Sequence, residues 1–194
     1  MFDFTHAPQR RHSDSIKWNV QDDELPMWIA DMDFQTAPAI VEAMQKKLAL
    51  GAFGYEEPQA DYFGAVAQWY QNVHHASAKP EWMTFTTGVI PAISAIVRRI
   101  SHIGDNVLVQ APVYNMFYHS IENNGRHVLS SDLVYTNGQY HVDWADLEQK
   151  MAEPLTTLMI LCNPHNPIGK VWTRAELTRI ATLCQQHHVV LLAD

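Results

Sequence analysis

The chain has 194 residues, of which 47% are hydrophobic, enough for one domain with a substantial core. A formal charge of -8 and a pI of about 5.7 leave no cationic footprint for nucleic acid, so the acidic balance reads as a solvated surface. No apolar run approaches the ~18 residues of a membrane helix, and Met1-Phe2-Asp3-Phe4 has neither the basic nor the apolar region of a secretory signal.

Residues 1 to about 35 keep no period and carry Trp18, Pro26, Trp28 and Phe34, as expected of an arm that packs on something else. From Thr36 the pattern turns helical. Ile40, Met44 and Leu48 fall on one face, Pro38 sits near the start and Gly51 follows the end. Pro58 opens a second helix, through Trp69 and Val73 to His74-His75. Beyond Trp82, strands and helices alternate. Met83–Thr86 is predicted as a short strand, and Gly88 opens a helix with Ile93, Ile96, Val97 and Ile100 on one face, closed by Gly104. Val107–Val109 is the next strand, followed by a helix from Pro112 to about Asn123. A strand is then predicted from Val128-Leu129 to Val134, and a short helix to Met151 with Asp143 as its cap. The apolar run Leu158–Leu161 reads as a buried strand. Thr173-Arg174-Ala175-Glu176 is a capping box that opens a helix to His187, and Val189–Leu192 is a last strand. Such alternation means a mostly parallel sheet with right-handed crossovers, and continuous apolar strands mean helices on both faces.

Four features fall at the ends of these strands, where open α/β sheets bind ligands. Gly88 with Val89 and Ile90 opens a helix, where backbone amides and the helix dipole suit a phosphate; a plain helix cap is the simpler reading. Tyr114, just past a strand, presents a ring that can stack on a flat cofactor, or is an ordinary core or surface tyrosine. Asn166 stands in Cys162-Asn163-Pro164-His165-Asn166-Pro167-Ile168-Gly169. Two Asn-Pro dipeptides there can hold one buried Asn side chain toward a ligand oxygen, although turn chemistry alone explains such residues. Asp194 ends the apolar run 189–193, where a buried carboxylate is costly unless it meets a cation such as a protonated ring nitrogen; its alternative is a helix cap. Cys162 and Cys184 read as reduced core thiols, which suits a cytoplasmic enzyme. His74-His75 and His187-His188 lack the spacing of metal ligands, so no metal site is expected.

Together these parts resemble pyridoxal-phosphate enzymes of the aspartate-aminotransferase fold, and more narrowly the MalY/PatB-type cystathionine β-lyases. The matching stretches are Ser13–Trp18, Leu25–Phe34, Phe53-Gly54-Tyr55, Glu81-Trp82, Gly88-Val89-Ile90, Pro112-Val113-Tyr114 and the Asn-Pro-His-Asn-Pro turn with Val171-Trp172-Thr173. Met27–Phe34 is the run that separates this branch from ordinary aminotransferases. The resemblance implies a fold type I transferase, an α/β fold with a mostly parallel sheet between helices, incomplete in this chain. Residues 1–50 would be an N-terminal arm and small-domain segment, and residues 51–194 the first part of the large cofactor-binding domain. It implies that Gly88, Val89 and Ile90 bind the phosphate of pyridoxal 5'-phosphate, Tyr114 stacks on its ring, Asn166 meets its phenolic oxygen and Asp194 pairs with its nitrogen. Tyr55 would reach the neighbouring subunit's phosphate in a homodimer, and Ala30 and Asp31 would line the pocket for an amino-acid substrate, cystathionine or a related S-substituted cysteine. The activity implied is carbon–sulfur β-elimination to thiol, pyruvate and ammonia.

One departure matters. The family's Schiff-base lysine lies downstream of the position that Asp194 matches, and none of Lys17, Lys46, Lys47, Lys79, Lys150 and Lys170 replaces it. By pattern Lys46, Lys47 and Lys150 lie on helix surfaces and Lys79 in a loop; Lys170 follows the Pro-Ile-Gly turn, where the resemblance implies a basic surface residue. No catalytic residue is therefore assigned. By this reading the 194 residues alone do not catalyse β-elimination, and an unpaired apolar sheet edge makes them prone to associate. Aminotransfer with the same cofactor groups, and a non-catalytic binding or regulatory module keeping the fold, are the alternatives.

Overall fold

The computed structural model describes residues 3–194; Met1 and Phe2, which begin the stretch read for a secretory signal, lie outside them. Two units divide the chain, residues 1–59 and 60–194.

The first unit is irregular up to helix α1, Pro38–Leu48. Proline in its first turn forfeits no helical hydrogen bond, and the chain leaves through Gly51 at φ 65°, a conformation glycine adopts without a Cβ clash. The apolar face predicted for α1 is present, yet Met44 and Leu48 are each 67% exposed and no residue of the helix is buried. Periodicity specifies a face; it does not supply a cover. A polar network ties the unit together instead. Lys17, 7% exposed, donates to Asp33 Oδ2 and to Asp31 O, both at 2.7 Å. Arg10 Nη1 lies 2.5 Å from Asp31 Oδ2 and 3.2 Å from Asp33 Oδ1, and the Trp18 indole donates to Asp33 Oδ1 at 2.7 Å. Hydrogen bonds from Lys17 and Trp18 hold the Asp33 carboxyl below the usual carboxylate range. A buried ammonium persists only when paired in this way.

The second unit begins with α2 (Ala60–His74), a 3-10 turn (Pro80–Trp82) and α3 (Val89–Ile100). It continues through β1 (Asn106–Val109), α4 (Asn115–Glu122), β2 (His127–Ser130), β3 (Val134–Thr136), β4 (Gln139–His141), α5 (Trp144–Met151), β5 (Thr156–Leu161), α6 (Arg174–Gln186) and β6 (Val190–Ala193). Four strands form one parallel sheet in the order β2-β1-β5-β6. Alternation along the central strands sorts the core into two layers. Val107, Val109, Leu158, Ile160 and Cys162 pack with α3 and α4. Leu108, Met159 and Leu161 pack with α5 and α6. Helices therefore cover both faces of β1 and β5. The outer strands β2 and β6 are only half covered, because an edge strand meets a neighbour on one side alone.

Local signals held where they were local. Asp143 Oδ1 accepts from Ala145 and Asp146 amides at 3.1 Å, and Thr173 and Glu176 complete a reciprocal capping box. Three expectations changed. Met83 is extended but Met83–Thr86 forms no strand, since a strand needs a partner and no neighbour pairs with it among the described residues. The strand expected to reach Val134 stops at Ser130, and Val134 opens a separate hairpin, β3-β4, whose turn is Asn137-Gly138 at φ 53° and 77°. Asn-Gly in that conformation matches the twist of a two-residue hairpin. The helix expected from Pro112 begins at Asn115, because residues 111–114 form the loop off β1.

Leu158 is fully buried in β5. Leu158→Ala is expected to cost about 2–5 kcal/mol and Thr173→Ala about 1 kcal/mol, read from urea unfolding midpoints; equal, small losses for both would contradict the core described.

Candidate functional site

Parallel strands end on one side of a sheet, and the loops off β1, β5 and β6 carry the candidate residues there. After β5 the chain enters residues 162–169, closed by hydrogen bonds from His165 N to Lys170 O at 2.7 Å and from Gly169 N to His165 O at 2.8 Å. The Cys162 thiol accepts from the Asn166 amide at 3.3 Å, and the Asn163 side chain accepts from Trp172 N at 3.1 Å. The turn is thus braced from its inner side. Its outer residue is Asn166, which is exposed, and the residue buried in the turn is His165, 1% exposed. The expectation of a buried Asn is corrected accordingly: Asn166 is turned outward, and its side-chain amide has no hydrogen-bond partner among the described residues.

Asp194 joins this turn through its backbone. Asn163 N donates to Asp194 O at 2.8 Å, and Asp194 N donates to Leu161 O at 2.9 Å. Its carboxylate is exposed rather than buried, because β6 is an edge strand. The negative charge is near enough to help burial raise the pKa of the Cys162 thiol. Tyr114, half-buried, caps α4 and meets Phe117 edge-on at 5.9 Å. Both Tyr114 and Ile90 pack on the core layer that contains Cys162. Gly88 precedes α3 with φ 162° and ψ 163°, extended backbone that any residue adopts. Glycine at this N-cap position places no side chain over the amides of the first turn. No side chain caps α3, so the amides of Val89 and Ile90 have donors to spare. Of the residues singled out in the sequence, Gly88, Val89, Ile90, Tyr114, Asn166 and Asp194 belong to this unit. Ala30, Asp31 and Tyr55 belong to the first unit, where Asp31 is engaged by Arg10 and Tyr55 is wholly exposed.

The lysines are committed elsewhere. Lys17 is held by Asp33, Lys46 by Glu42 and Lys47 by Glu56, and Lys79 lies over the Trp82 ring. Lys150 and Lys170, expected on the surface, are both three-quarters buried. Lys150 bonds Ser130 O and Asp146. Lys170 bonds Tyr140 O and Glu176 while resting 4.3 Å from the Trp172 ring centre. Their long stems pack on apolar surface while the charge finds a partner.

The donor set has a definite chemistry. Free helix-terminal amides take an anion, an aromatic ring offers a flat face, a free carboxamide bonds a ligand oxygen, and an exposed carboxylate accepts from a cationic N–H. Pyridoxal 5'-phosphate carries one group of each matching kind: a phosphate, a flat ring, a phenolic oxygen and a ring nitrogen. Sequence reasoning overlooked His165; the signal was present, since it is the one residue between two Asn-Pro dipeptides able to pack inward and still hydrogen-bond. No cluster of His, Cys, Asp and Glu able to hold a metal occurs among the described residues, and no helix there is long and apolar enough to cross a membrane.

Comparison with known proteins agrees with the fold and the cofactor. Residues 23–194 match the aminotransferase class I and II family. The chain is 43% identical to cystathionine beta-lyase PatB of Bacillus subtilis over 98% of its own length and 51% of that protein. It is 36% identical to protein MalY of Escherichia coli, over 100% of this chain and 52% of the relative. The fold matches cystalysin of Treponema denticola, which contains a pyridoxal 5'-phosphate cofactor, at a TM-score of 0.92 and 30% identity, covering 100% of this chain and 51% of that one. The chain spans about half the length of the curated relatives it matches.

Cys162 and Cys184 are each 3% exposed and both are free. Burial pushes both thiols up, Cys184 to about 11, so both are protonated at pH 8 and shielded from reagents. A coloured disulfide reagent at that pH is expected to label neither thiol in the native chain and both of the 2 cysteines in denaturant. Rapid native labelling would contradict the packing of β5 and α6.

Proposed function

The chain belongs to the class I and II aminotransferase family, and from that premise we propose that it supplies the cofactor-binding part of a pyridoxal-phosphate-dependent carbon–sulfur β-lyase. The substrate class is cystathionine or a related S-substituted cysteine, which with water yields a thiol, pyruvate and ammonia. The observation that carries this reading is the set of unpartnered groups at the carboxyl ends of β1, β5 and β6 and at the mouth of α3. Similarity to proteins named cystathionine beta-lyase and the Met27–Phe34 run support the lyase over aminotransfer.

Each residue has one task in this reading. Backbone amides of Gly88, Val89 and Ile90 bind the phosphate, where the α3 dipole adds to the attraction. Tyr114 lies against the ring and limits its tilt. Asn166 donates to the phenolic oxygen. The Asp194 carboxylate accepts from the ring nitrogen and holds its proton in place. When bound, the cofactor withdraws the electron pair left at the substrate α-carbon as its proton departs. Ala30 and Asp31 are assigned to substrate recognition through the resemblance of the Met27–Phe34 run. Tyr55 serves the phosphate of a second copy in a homodimer, in keeping with a side chain that has no cover in its own unit.

Two measurements test this. Pyridoxal phosphate added to the purified chain is expected to quench tryptophan fluorescence saturably. Asn166→Ala and Asp194→Ala are each expected to weaken that binding about tenfold, the loss of one charge-assisted hydrogen bond. Protein expressed from the native gene is expected to release thiol and pyruvate from cystathionine in equal amounts. Keto-acid exchange without thiol release would establish aminotransfer instead, and absence of cofactor binding would overturn the reading altogether.

A further inference from the structure

Asn166 and Tyr114 sit 52 residues apart on different loops, and their useful geometry depends on how those loops are set against one another. His165 is the side chain that spans the gap. Its Nε2 lies 2.9 Å from Pro112 O, two residues from Tyr114, while its own backbone closes the turn that presents Asn166. Among the described residues no other hydrogen bond joins segment 111–114 to segment 162–169. The imidazole is 1% exposed and packs edge-on against Trp172 with ring centres 5.5 Å apart. Trp172 in turn donates its indole N–H to Cys162 O at 3.1 Å, so the ring packs on a side chain that itself braces the turn. A carbonyl oxygen can only accept, which puts the imidazole proton on Nε2. Burial lowers the ring's pKa, in keeping with a neutral donor.

We propose that His165 is a positioning residue: its bond to Pro112 O sets the Tyr114 loop and the Asn166 turn at the separation that grips one flat ring from its face and its edge. The proposal rests on the cofactor reading above. It asks nothing of His165 as an acid or base, and it leaves the phosphate cradle at Gly88–Ile90 untouched. That division gives the test its control. A residue needed only for folding would weaken ring and phosphate binding together; a residue that positions the ring contacts weakens the first alone.

The experiment compares the wild-type chain, His165→Leu and His165→Gln. Leucine fills much of the space without a donor, and the glutamine amide restores one at nearly the same reach. Affinities for pyridoxal 5'-phosphate and for inorganic phosphate are measured by fluorescence quenching and competition, alongside urea midpoints. The expected result is a loss of about tenfold in pyridoxal phosphate affinity for H165L, as for one lost positioning bond. Phosphate affinity changes less than twofold, and H165Q recovers most of the loss. Unchanged pyridoxal phosphate affinity in H165L, or a parallel fall in phosphate affinity, overturns the proposal while leaving the cofactor reading intact. Failure of the wild-type chain to bind pyridoxal phosphate overturns the cofactor reading, and the proposal with it. A second measurement does not depend on the variants' stability. In the wild-type chain, cofactor binding is expected to slow amide hydrogen exchange in 111–114 and 162–169 together; protection of one segment without the other overturns the proposal.

Discussion

The two-sided burial of β5 is the constraint on which the rest of the structure hangs. Leu158 and Ile160 face one helical layer, Met159 and Leu161 the other. A slip of one residue along the strand would exchange the two sets and drive every side chain into the wrong layer. The strand is therefore held in register from both sides, and so is the point at which it ends. Because its neighbours run parallel to it, their ends come to the same side of the sheet. Backbone groups there have finished the ladder and are free to take other partners. A rigid place for chemistry is thus a consequence of how the core is filled.

What hangs from that edge is held by polar contacts as well as by apolar packing. Cys162 is the last inward residue of the β5 layer and also the acceptor for the Asn166 amide. His165 fills the interior of the turn, and Trp172 closes it from the α6 side. Asn166 is left facing outward with its hydrogen-bonding capacity unspent. The first unit follows a comparable logic: Lys17, Arg10 and Trp18 converge on Asp33 and Asp31, and a charged cluster orders a segment too poor in buried apolar surface to order itself. A single partner removed from either cluster leaves a buried polar group unmatched, which costs more than the bond itself contributes.

Much of the fold was legible because the signals were local. Asp143 caps α5 and Thr173 with Glu176 caps α6, since a cap needs only residues within one turn. Helical faces and buried strands followed from period. Two of the failures share one cause, dependence on a distant partner. Met83–Thr86 has strand-like residues but no neighbour to pair with. The exposed apolar face of α1 has the right spacing and no cover. Asn137-Gly138, a strong hairpin signal, lay just past the strand expected to end at Val134 and was not read as a turn. In the turn, alternation could not say whether His165 or Asn166 faces inward, because proline on either side breaks the strand's period of two.

The sequence by itself determined the family, the alternation of strands and helices, the caps, and the identity of Gly88, Tyr114, Asn166 and Asp194 as the residues to watch. Those are matters of residue type, spacing and near neighbours. Only the tertiary structure decided that His165 is the buried member of the turn, that Asn166 and Asp194 present their side chains outward, and that Lys17, Lys150 and Lys170 are spent on internal partners. Each of these depends on which atoms far apart in the chain come within about 3 Å. In the second unit such closeness follows from packing two layers of helices onto one sheet; for Lys17 it follows from the charged cluster of the first unit.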